Sequence, residues 1–488
     1  MTGLTDAPAH VTARYEMVVG LEVHVQLRTH TKAFCSCDAT YGAPPNVNTC
    51  PVCLALPGAL PALNREAVHL AMRAAHALGC TVNPLSVFAR KNYFYPDLPK
   101  GYQISQYDRP LALAGRLEIG DGDAARTVGI TRVHMEEDAG KSIHDRYPGA
   151  TAIDLNRAGV PLIEIVSEPD MRSSADAVAY LTALKQILEY IDVSDVNMEE
   201  GSLRVDANVS ARRVGATALG TKTEVKNMNS FSGVQRALEA EFERQCAVLE
   251  RGERVHQQTM LWDGARGEVR PARSKEASHD YRYFPEPDLP PLVLDSQWID
   301  AVRRELPELP RARRARFARE YSLAAADVGV LTATTALADY FEAAAKAHGD
   351  AKAAANWVMG EVLATLNTSN ESIETFRIAP ASLARLLDLV RDGVVSHSAA
   401  KRVFALMAET GDAPDRVAER EGLMQVRDAD ELARWVDEVL AEHPAEAERF
   451  RGGEKKLLGV LVGLVMKKSK GRADPRRVNQ LLSERAGG

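Results

Sequence analysis

Apolar and polar residues alternate along many short segments of the first 300 residues. In residues 19–27 and 203–210 every second position is aliphatic, residues 161–166 are aliphatic apart from Pro161 and Glu164, and residues 130–137 form a further segment of strand length. Such alternation predicts strands with one buried and one polar face, which is typical of antiparallel sheets. Helical periodicity interrupts these strands in three longer segments, residues 64–79, 174–191 and 230–251.

Beyond residue 300 the strand pattern disappears, and helical periodicity continues nearly to the end of the chain. Six predicted helices follow one another at residues 325–348, 351–366, 381–392, 398–409, 428–442 and 454–468. A Pro- and Arg-rich connector at residues 305–313 precedes them. We therefore predict an α+β protein with a mixed, mainly antiparallel sheet domain at 1–300, a helical connector domain at 301–410 and a small all-α tail domain at 411–488.

Length and composition are typical of an ordinary globular protein. The chain has 488 residues, of which 45% are hydrophobic and 26% charged, and this balance argues against disorder and a coiled-coil rod. The longest apolar run, residues 457–466, is too short for a membrane span of about 20 residues. Six cysteines are too few for a disulfide-dense scaffold, and no secretory signal is visible. We expect a cytoplasmic protein without membrane contact.

The net charge is unevenly distributed along the chain. The whole chain carries −7, but residues 451–488 contain ten basic and three acidic residues, so this tail carries +7 and the remainder −14. A basic end on an acidic protein indicates that one module contacts a polyanion. The alternative is a tail whose charges are merely solvated.

Four cysteines form the most specific motif. One residue separates Cys35 from Cys37, two separate Cys50 from Cys53, and twelve lie between the pairs. Tetrahedral zinc is readily bound by two short chelating pairs of thiolates, and four protein ligands leave no open position for catalysis. We therefore predict a structural zinc site. Two disulfides and a redox-active Cys-x-x-Cys pair are the alternatives.

Acidic residues and a histidine recur on the predicted strands. Glu22 and His24 project from the same face of one strand, Glu164 stands in an otherwise aliphatic strand, and residues 136–138 are all acidic. An ionised Glu in an apolar run is costly unless it is paired or binds a metal. Each residue alone could be a salt-bridge partner, but together they predict a Mg²⁺ site that also takes phosphate.

Many longer motifs along the chain match one known family. The matching segments of the sheet domain are GLEVHVQ (20–26), RKNYFYPD (90–97), YQISQ (102–106), HMEEDAGKS (134–142), DLNR (154–157), PLIEIVSEPD (161–170), MEEGSLR (198–204), KNMNSF (226–231) and DYRYFPEPD (280–288). The matching segments of the tail are MKKSKG (466–471), DP (474–475) and VNQLL (478–482). With these motifs the chain resembles the GatB subunit of the bacterial aspartyl/glutamyl-tRNA amidotransferases over nearly its whole length, and its tail resembles a YqeY-like domain.

This resemblance implies a kinase-like "cradle" domain at 1–300. The domain would use ATP and Mg²⁺ to phosphorylate the side-chain carboxylate of Glu or Asp misacylated on tRNA(Gln) or tRNA(Asn). Ammonia from a separate glutaminase, which is an amidase-signature protein, would then displace the phosphate to give Gln-tRNA(Gln) or Asn-tRNA(Asn) for protein synthesis. A third, small subunit completes the implied GatCAB heterotrimer, and an aminoacyl-tRNA synthetase is a further expected partner.

The resemblance also implies roles for residues of the predicted strands. Glu22, His24, Glu137 and Glu164 match metal and active-site positions of the family. We rank Glu136 below Glu137, because alternation places their side chains on opposite faces of a strand. Two residues on the polar face of another strand are candidates for contacting phosphate and for positioning metal or water: Arg204 and Asp206.

Basic residues receive two different implied roles. Lys91 and Lys100 match lysines on the route that delivers ammonia to the kinase site, and the alternative is that they are surface charges. The candidate tRNA-binding residues of the tail are Lys467, Lys468, Lys470, Arg472, Arg476 and Arg477. Such residues would recognise the shape and phosphates of the tRNA and not its bases.

Two other classes of function compete with this interpretation. A non-catalytic, zinc-containing RNA-binding scaffold would bind tRNA without turning over nucleotide. An independent metallohydrolase would act without partner subunits. The acidic strand residues argue against the scaffold, which would not need them.

Overall fold

The computed structural model describes residues 12–120, 125–272, 281–425, 428–469 and 471–486. Contacts divide the chain into two compact units, Met1–Leu309 and Pro310–Gly488. The boundary between the units falls inside the predicted connector at residues 305–313. The three-domain division with boundaries near residues 300 and 410 stays a prediction.

One large sheet dominates the first unit. The strands of this unit are, in chain order, β1 (Tyr15–Gln26), β2 (Thr81–Val82), β3 (Leu85–Ser86), β4 (Phe88–Asn92), β5 (Tyr102–Gln106), β6 (Ala112–Ile119), β7 (Arg126–Glu137), β8 (Lys141–Tyr147), β9 (Ala150–Asp154), β10 (Pro161–Ser167), β11 (Leu203–Arg213), β12 (Thr223–Met228), β13 (Thr259–Asp263), β14 (Glu268–Pro271), β15 (Phe284–Pro285) and β16 (Leu292–Val293). The large sheet has the order β14-β13-β12-β11-β1-β10-β7-β6-β2. Among its described strands only the β12–β13 pair is parallel, so the predicted mixed, mainly antiparallel sheet is confirmed.

The two faces of the large sheet differ in polarity, as the alternation predicts. In β1 the side chains of Leu21, Val23 and Val25 are almost completely buried in the main hydrophobic core, whereas Glu22 and His24 are partly exposed. The apolar side chains of the other central strands enter the same core. The opposite face is therefore free to carry polar side chains.

Helices cover the apolar face of the large sheet. They are α1 (Arg65–Ala77), α2 (Ser174–Tyr190) and α3 (Phe231–Glu250), and α4 (Ser296–Arg304) follows near the end of the unit. Asn64, Ser173 and Ser230 cap the first three helices with side-chain oxygens that accept hydrogen bonds from backbone N–H groups of the first turn. These caps explain why the helices begin where the sequence predicts.

A smaller three-stranded sheet has the order β15-β4-β5, and β5 contacts the polar face of the large sheet. Arg90 on β4 forms a two-pronged salt bridge with the buried Glu286, with N···O distances of 2.7 and 2.8 Å. The Arg90 guanidinium also lies over the ring of Tyr102, 4.2 Å from its centroid. These contacts tie β15 to β4 and hold the strand that carries Lys91.

The second unit consists of helices. They are α5 (Pro310–Tyr321), α6 (Ala325–Leu331), α7 (Thr335–His348), α8 (Ala351–Trp357), a π-helical turn (Val358–Val362), α9 (Leu363–Ser369), α10 (Pro380–Arg391), α11 (His397–Thr410), α12 (Pro414–Arg420), α13 (Ala429–Glu442), α14 (Pro444–Arg451), α15 (Leu457–Lys468) and α16 (Pro475–Ala486). Across both units, none of the described helices combines the length and apolarity needed to cross a membrane.

Two predicted helices of the second unit are interrupted. The helix predicted at 325–348 is split because the Thr334 hydroxyl accepts a hydrogen bond from the N–H of Leu337 and so begins α7 anew. The π-helical turn divides the helix predicted at 351–366. Conversely, α5 begins inside the predicted connector, and α12, α14 and α16 are additional helices.

Glu342 on α7 joins several basic groups in the second unit. Arg316 on α5 donates two hydrogen bonds to its carboxylate, at 2.8 and 2.9 Å, and Lys346 lies 2.8 Å away. The hydroxyl of Tyr321 donates a further hydrogen bond at 3.2 Å. This cluster links α5 to α7 beside the buried rings of Phe317 and Phe341.

Candidate active site and metal centres

A row of ionisable side chains crosses the polar face of the large sheet. His24 on β1 lies opposite Arg204 on β11 and opposite Glu164 on β10, and Glu164 lies opposite His134 on β7. Directly paired residues of neighbouring strands project from the same face. Strand register therefore brings together residues that are up to 180 positions apart in the chain.

The centre of this row can hold a cation. His24 Nε2 lies 3.4 Å and His134 Nε2 3.3 Å from Oε2 of Glu164, and His134 Nε2 also lies 3.2 Å from Oε1 of Glu136. Ligand atoms of His24, Glu136 and Glu164 all lie within 4.8 Å of one another. Oxygen ligands at about 2.1 Å from a cation are about 3–4 Å apart, so small side-chain movements would close this set around one ion.

Neighbouring polar groups hold Glu136 in place. Its carboxylate is buried and accepts hydrogen bonds from Ser105 Oγ at 2.6 Å and from Gln103 Nε2 at 3.1 Å. Lys91 lies over the ring of Tyr281, with its Nζ 5.1 Å from the ring centroid. Burial opposes the charge of Lys91, but Glu136, Glu164 and two neighbouring tyrosines together outweigh burial and raise the pKa of this lysine.

Glu137, which was ranked above Glu136 as a site residue, lies outside this cluster, and the roles of both glutamates stay predictions. The register of β7 places its even-numbered residues on the face of the row, so Glu136 points towards the cluster and Glu137 points away. Glu137 instead forms a salt bridge with Lys100 at 2.6 Å and accepts a hydrogen bond from the N–H of Ile104 at 2.9 Å. Alternation separates the two side chains as predicted, but it does not show which of them shares a face with a distant strand.

Arg204 is fixed at the edge of the cluster by a buried acid. Its guanidinium donates two hydrogen bonds to Asp138, at 2.8 and 3.1 Å, and Gln26 Nε2 donates a third to the same carboxylate at 2.7 Å. Burial alone would raise the pKa of Asp138, but the positive charges of Arg204 and Arg157 hold it below its usual range. The fixed guanidinium is a charged group suited to contacting phosphate.

Two further acidic residues lie on the same face. Glu22 accepts a hydrogen bond from Asn208 Nδ2 at 2.9 Å, and Asp206, which lies opposite Glu22, forms a salt bridge with Lys226 at 2.6 Å. Glu22 is not one of the three residues whose ligand atoms converge within 4.8 Å. Asp206 and Lys226 add a second charged pair beside Arg204.

The carboxylates at the centre of the row are ionised at neutral pH. Burial would raise the pKa of Glu164, but hydrogen bonds from His134 and His24 hold it well below its usual range. Burial would lower the pKa of His134, yet its bonds to Glu136 and Glu164 raise it to about 9. Burial and the charge of Glu164 raise the pKa of Glu22. Burial would lower the pKa of His24, but its bond to Glu164 and the neighbouring acidic charges raise it. Both histidines therefore balance the two carboxylates in this structure, and a divalent cation held here would have to replace the proton on His24.

Sequence reasoning gave no role to several residues of this site. These are His134, Asn208 and Lys226. All but Asn208 lie inside the motifs that match the family, and Asn208 alternates with Asp206 on the polar face of its strand. The family motifs and the alternation of polar residues could therefore have pointed to these residues, but only strand pairing shows which neighbour each side chain contacts.

The four predicted zinc ligands lie together. The sulfur atoms of Cys35, Cys37, Cys50 and Cys53 are all within 4.8 Å of one another, and the four thiols are free. A tetrahedron with Zn–S bonds of about 2.3 Å has edges of about 3.8 Å, and the sulfur atoms of Cys50 and Cys53 are 3.9 Å apart. A hydrogen bond from Cys35 lowers the pKa of Cys53 to about 4, so the cluster readily supplies a thiolate.

The predicted tRNA-binding residues of the tail differ in their surroundings. Lys468 forms salt bridges with two acidic residues of α13, and the Arg472 guanidinium lies over the ring of Trp435, 5.6 Å from its centroid. Lys467, Arg476 and Arg477 are exposed. Lys470 lies outside the described residues. Lys467, Arg476 and Arg477 are therefore better able to contact a polyanion than Lys468 and Arg472, whose charged groups already contact other side chains.

Comparison with known proteins identifies the family. A family model described as the GatB/GatE catalytic domain matches residues 17–300, and one described as the GatB domain matches residues 339–485. The GatB subunit of the aspartyl/glutamyl-tRNA(Asn/Gln) amidotransferase of Geotalea daltonii is 54% identical over 477 residues, which cover 97% of this chain and all of the relative. Its counterpart from Moorella thermoacetica is also 54% identical, over 96% of this chain and 99% of the relative.

The family resemblance predicted from the motifs is thus confirmed over nearly the whole length of these relatives. Both family models fall on the units that carry the matching motifs, the first on the large sheet and the second on the helices. This chain belongs to the family of GatB subunits of the aspartyl/glutamyl-tRNA(Asn/Gln) amidotransferases.

Proposed function

We propose that this chain phosphorylates the side-chain carboxylate of Glu-tRNA(Gln), Asp-tRNA(Asn) or both, and that the activated side chain is then amidated. The observation that carries the proposal is the convergence of His24, Glu136 and Glu164 on one point of the sheet, with the fixed guanidinium of Arg204 in the same row. Names of relatives support it, because each is part of an amidotransferase named for these tRNAs.

The chemistry requires charge neutralisation more than covalent catalysis. In the first step a carboxylate oxygen of the substrate attacks the γ-phosphorus of ATP, and the bond from phosphorus to ADP breaks. Mg²⁺, which His24, Glu136 and Glu164 would hold, supplies positive charge to the phosphates when bound. Arg204 and Lys226 add positive charge from the protein, and Asp138 and Asp206 keep these side chains extended along the face of the sheet.

Amidation follows from the acyl phosphate. The nitrogen of ammonia attacks the carbonyl carbon, the bond to the phosphate oxygen breaks, and inorganic phosphate leaves as the nitrogen loses a proton. We place Lys100 and Glu137 on the route of ammonia, because their salt bridge forms a polar pair able to exchange protons with a passing amine. Lys91 would face the activated carboxylate from the side of Glu136. The ammonia source would be the glutaminase of the complex, with the third, small protein completing the heterotrimer.

The remaining predicted features fit this role. The four-cysteine cluster would hold a structural zinc ion, since its sulfur atoms converge and leave no open ligand position. The exposed Lys467, Arg476 and Arg477, together with Lys470, would contact the phosphates of the tRNA. An aminoacyl-tRNA synthetase that makes the misacylated tRNA is a further partner, and we place the whole assembly in the cytoplasm.

One assay separates this proposal from its two rivals. The purified chain, with and without its glutaminase and small partner, receives ATP, Mg²⁺, glutamine and Glu-tRNA(Gln) or Asp-tRNA(Asn). We expect Gln-tRNA(Gln) or Asn-tRNA(Asn) only with the assembled complex. Binding of tRNA without any tRNA-dependent ADP formation would support the RNA-binding scaffold, and hydrolysis by the chain alone would support the independent metallohydrolase.

A further inference from the structure

A cavity of about 200 Å³ lies between the four-cysteine cluster and the Lys100–Glu137 salt bridge. Cys35, Cys53, Lys100 and Glu137 are among the residues that line it. The second cysteine pair and the segment that follows it supply most of the apolar lining, with Val52, Ala55, Leu56, Ala59 and Pro61. The lining thus combines a charged pair with an apolar segment that begins at the cysteine cluster.

Gly159 lies between the cysteine cluster and Glu137. A Cβ atom at this position would lie 3.6 Å from Cβ of Cys53 and 3.8 Å from Oε2 of Glu137. The N–H of Gly159 donates to the carbonyl of Asp138 at 2.8 Å, and its own carbonyl accepts from the N–H of Ala33 at 2.8 Å. Its φ of +87° favours glycine. One residue therefore links the backbone before Cys35 to the end of β7.

Lys32 provides a second link at the same place. Its side chain is completely buried, and its Nζ donates hydrogen bonds to the carbonyls of Asn48 at 2.7 Å and Leu155 at 3.4 Å. Its N–H donates to the carbonyl of Cys37 at 3.0 Å. Lys32 thus fastens the first cysteine pair to the segment that leads into the second pair and to the segment before β10. A buried ammonium also offsets the negative charge of a four-thiolate zinc site.

Zinc would complete this framework, because segment 52–61 is fastened at its start by Cys50 and Cys53. Segment 52–61 contains no regular helix or strand, so its path depends on its ends and on local turns. Four zinc–sulfur bonds would fix the first of these ends to the first cysteine pair. Without these zinc–sulfur bonds, one end of the segment that supplies most of the apolar lining would no longer be fixed.

We propose that the zinc-bound cysteine cluster seals the cavity through which ammonia passes to the activated carboxylate. Ammonia is a small neutral molecule that an apolar wall retains while excluding bulk water. Apart from the cysteine thiolates, Lys100, Glu137 and Asp288 are the only charged groups among the cavity-lining residues that the structure describes. Zinc in this chain then has a role in coupling and not only in folding. This inference rests on the proposed function, because it requires that ammonia travel past Lys100 and Glu137.

The test compares glutamine hydrolysis with amidation in the assembled complex. In the double variant Cys37→Ser/Cys50→Ser, neither altered residue lines the cavity. We expect its zinc content to fall and the ratio of glutamate released to tRNA amidated to rise at least about threefold. Formation of ADP and amidation driven by ammonium chloride should persist, because both bypass the delivery of ammonia from glutamine. Cys246→Ala, which removes a buried thiol outside the cluster, is the matched control.

An unchanged ratio after zinc loss would overturn the inference. If the double variant also loses ADP formation, Leu56→Asp decides, because Leu56 lines the cavity and is not a zinc ligand. A raised ratio with zinc retained in Leu56→Asp supports the seal, and a wild-type ratio contradicts it. Absence of tRNA-dependent ADP formation in the wild-type complex would reject the proposed function itself, and the inference with it.

Discussion

Glu164 on β10 lies directly opposite His24 on β1, with its Oε2 3.4 Å from Nε2 of the imidazole. The same oxygen lies 3.3 Å from His134 on the next strand, so one carboxylate bridges two histidines across three strands. Such a buried carboxylate is stable only because both partners surround it. The proposed metal site is therefore a property of the strand register and not of any single motif.

Exchanging each neighbouring glutamate for glutamine should give different defects. We expect Glu136→Gln to lower tRNA-dependent ADP formation by about 100-fold or more, because the proposed metal site would lose a charged ligand. Glu137→Gln should leave ADP formation within about threefold of wild type and reduce glutamine-dependent amidation instead, since Glu137 contacts Lys100 and not the cluster. Both rates are measured on the assembled complex. Equal loss of ADP formation in the two variants would contradict the separation of their roles.

The paired guanidinium of Arg204 should not be replaceable by an ammonium group. Arg204→Lys retains the charge but loses the two-pronged bond to Asp138. We expect about a 10- to 100-fold lower rate of ADP formation with tRNA affinity unchanged, because the proposed contact of this group is with the phosphates of ATP and not with the body of the tRNA. Steady-state kinetics with ATP and filter binding of tRNA measure the two quantities. Wild-type kinetics in Arg204→Lys would remove this residue from the phosphate site.

Exposed basic residues of the tail should contribute more to tRNA binding than basic residues that already form salt bridges within the protein. Arg476→Ala/Arg477→Ala should weaken tRNA binding about three- to tenfold at moderate salt and flatten its salt dependence, because two proposed phosphate contacts would be lost. The control is Arg449→Ala, whose guanidinium is already paired with Glu454. If this control weakens binding as much as the double variant, the two arginines have no special role.

Acid should weaken the second unit through Glu342. The hydrogen bonds from Arg316, together with the nearby Lys346, hold the pKa of Glu342 at about 2, below its ordinary value of 4.5. A carboxylate with a lowered pKa stabilises the fold above its ordinary pKa, and this stabilisation is lost as the pH falls from about 4.5 towards 2. Glu342→Gln should therefore cost about 1–2 kcal/mol near pH 7 and much less at pH 2–3.

Scanning calorimetry of the full chain at several pH values measures this effect. The control is Glu374→Gln, at an exposed glutamate of the same unit. A stability difference between Glu342→Gln and wild type that stays constant down to pH 2 would show that the ion pairs around Glu342 do not carry it.

Sequence patterns predicted the central strands well, because alternation is a local property that burial of one sheet face enforces. In β1 the pattern of Leu21, Val23 and Val25 sufficed to identify both the buried face and the polar face that carries His24. The four cysteines were equally clear, since chelation by short turns depends on spacing alone.

Long-range register was beyond the reach of the pattern. Alternation correctly separates Glu136 from Glu137, but a shift of one residue between β7 and β10 would exchange their faces. Helix breaks were also missed where one side chain decides them, as Thr334 does by capping α7. In both cases the deciding contact joins atoms whose relative position the sequence alone does not determine.

Transfer of phosphate in the absence of glutamine tests the central claim most directly. The assembled complex receives γ-labelled ATP, Mg²⁺ and Glu-tRNA(Gln) or Asp-tRNA(Asn), and label on the aminoacyl group and release of ADP are followed for wild type and Glu164→Gln. We predict tRNA-dependent labelling by wild type and none by Glu164→Gln, while glutaminase activity of the variant complex persists. Labelling by Glu164→Gln at the wild-type rate would contradict the assignment of this face as the phosphoryl-transfer site.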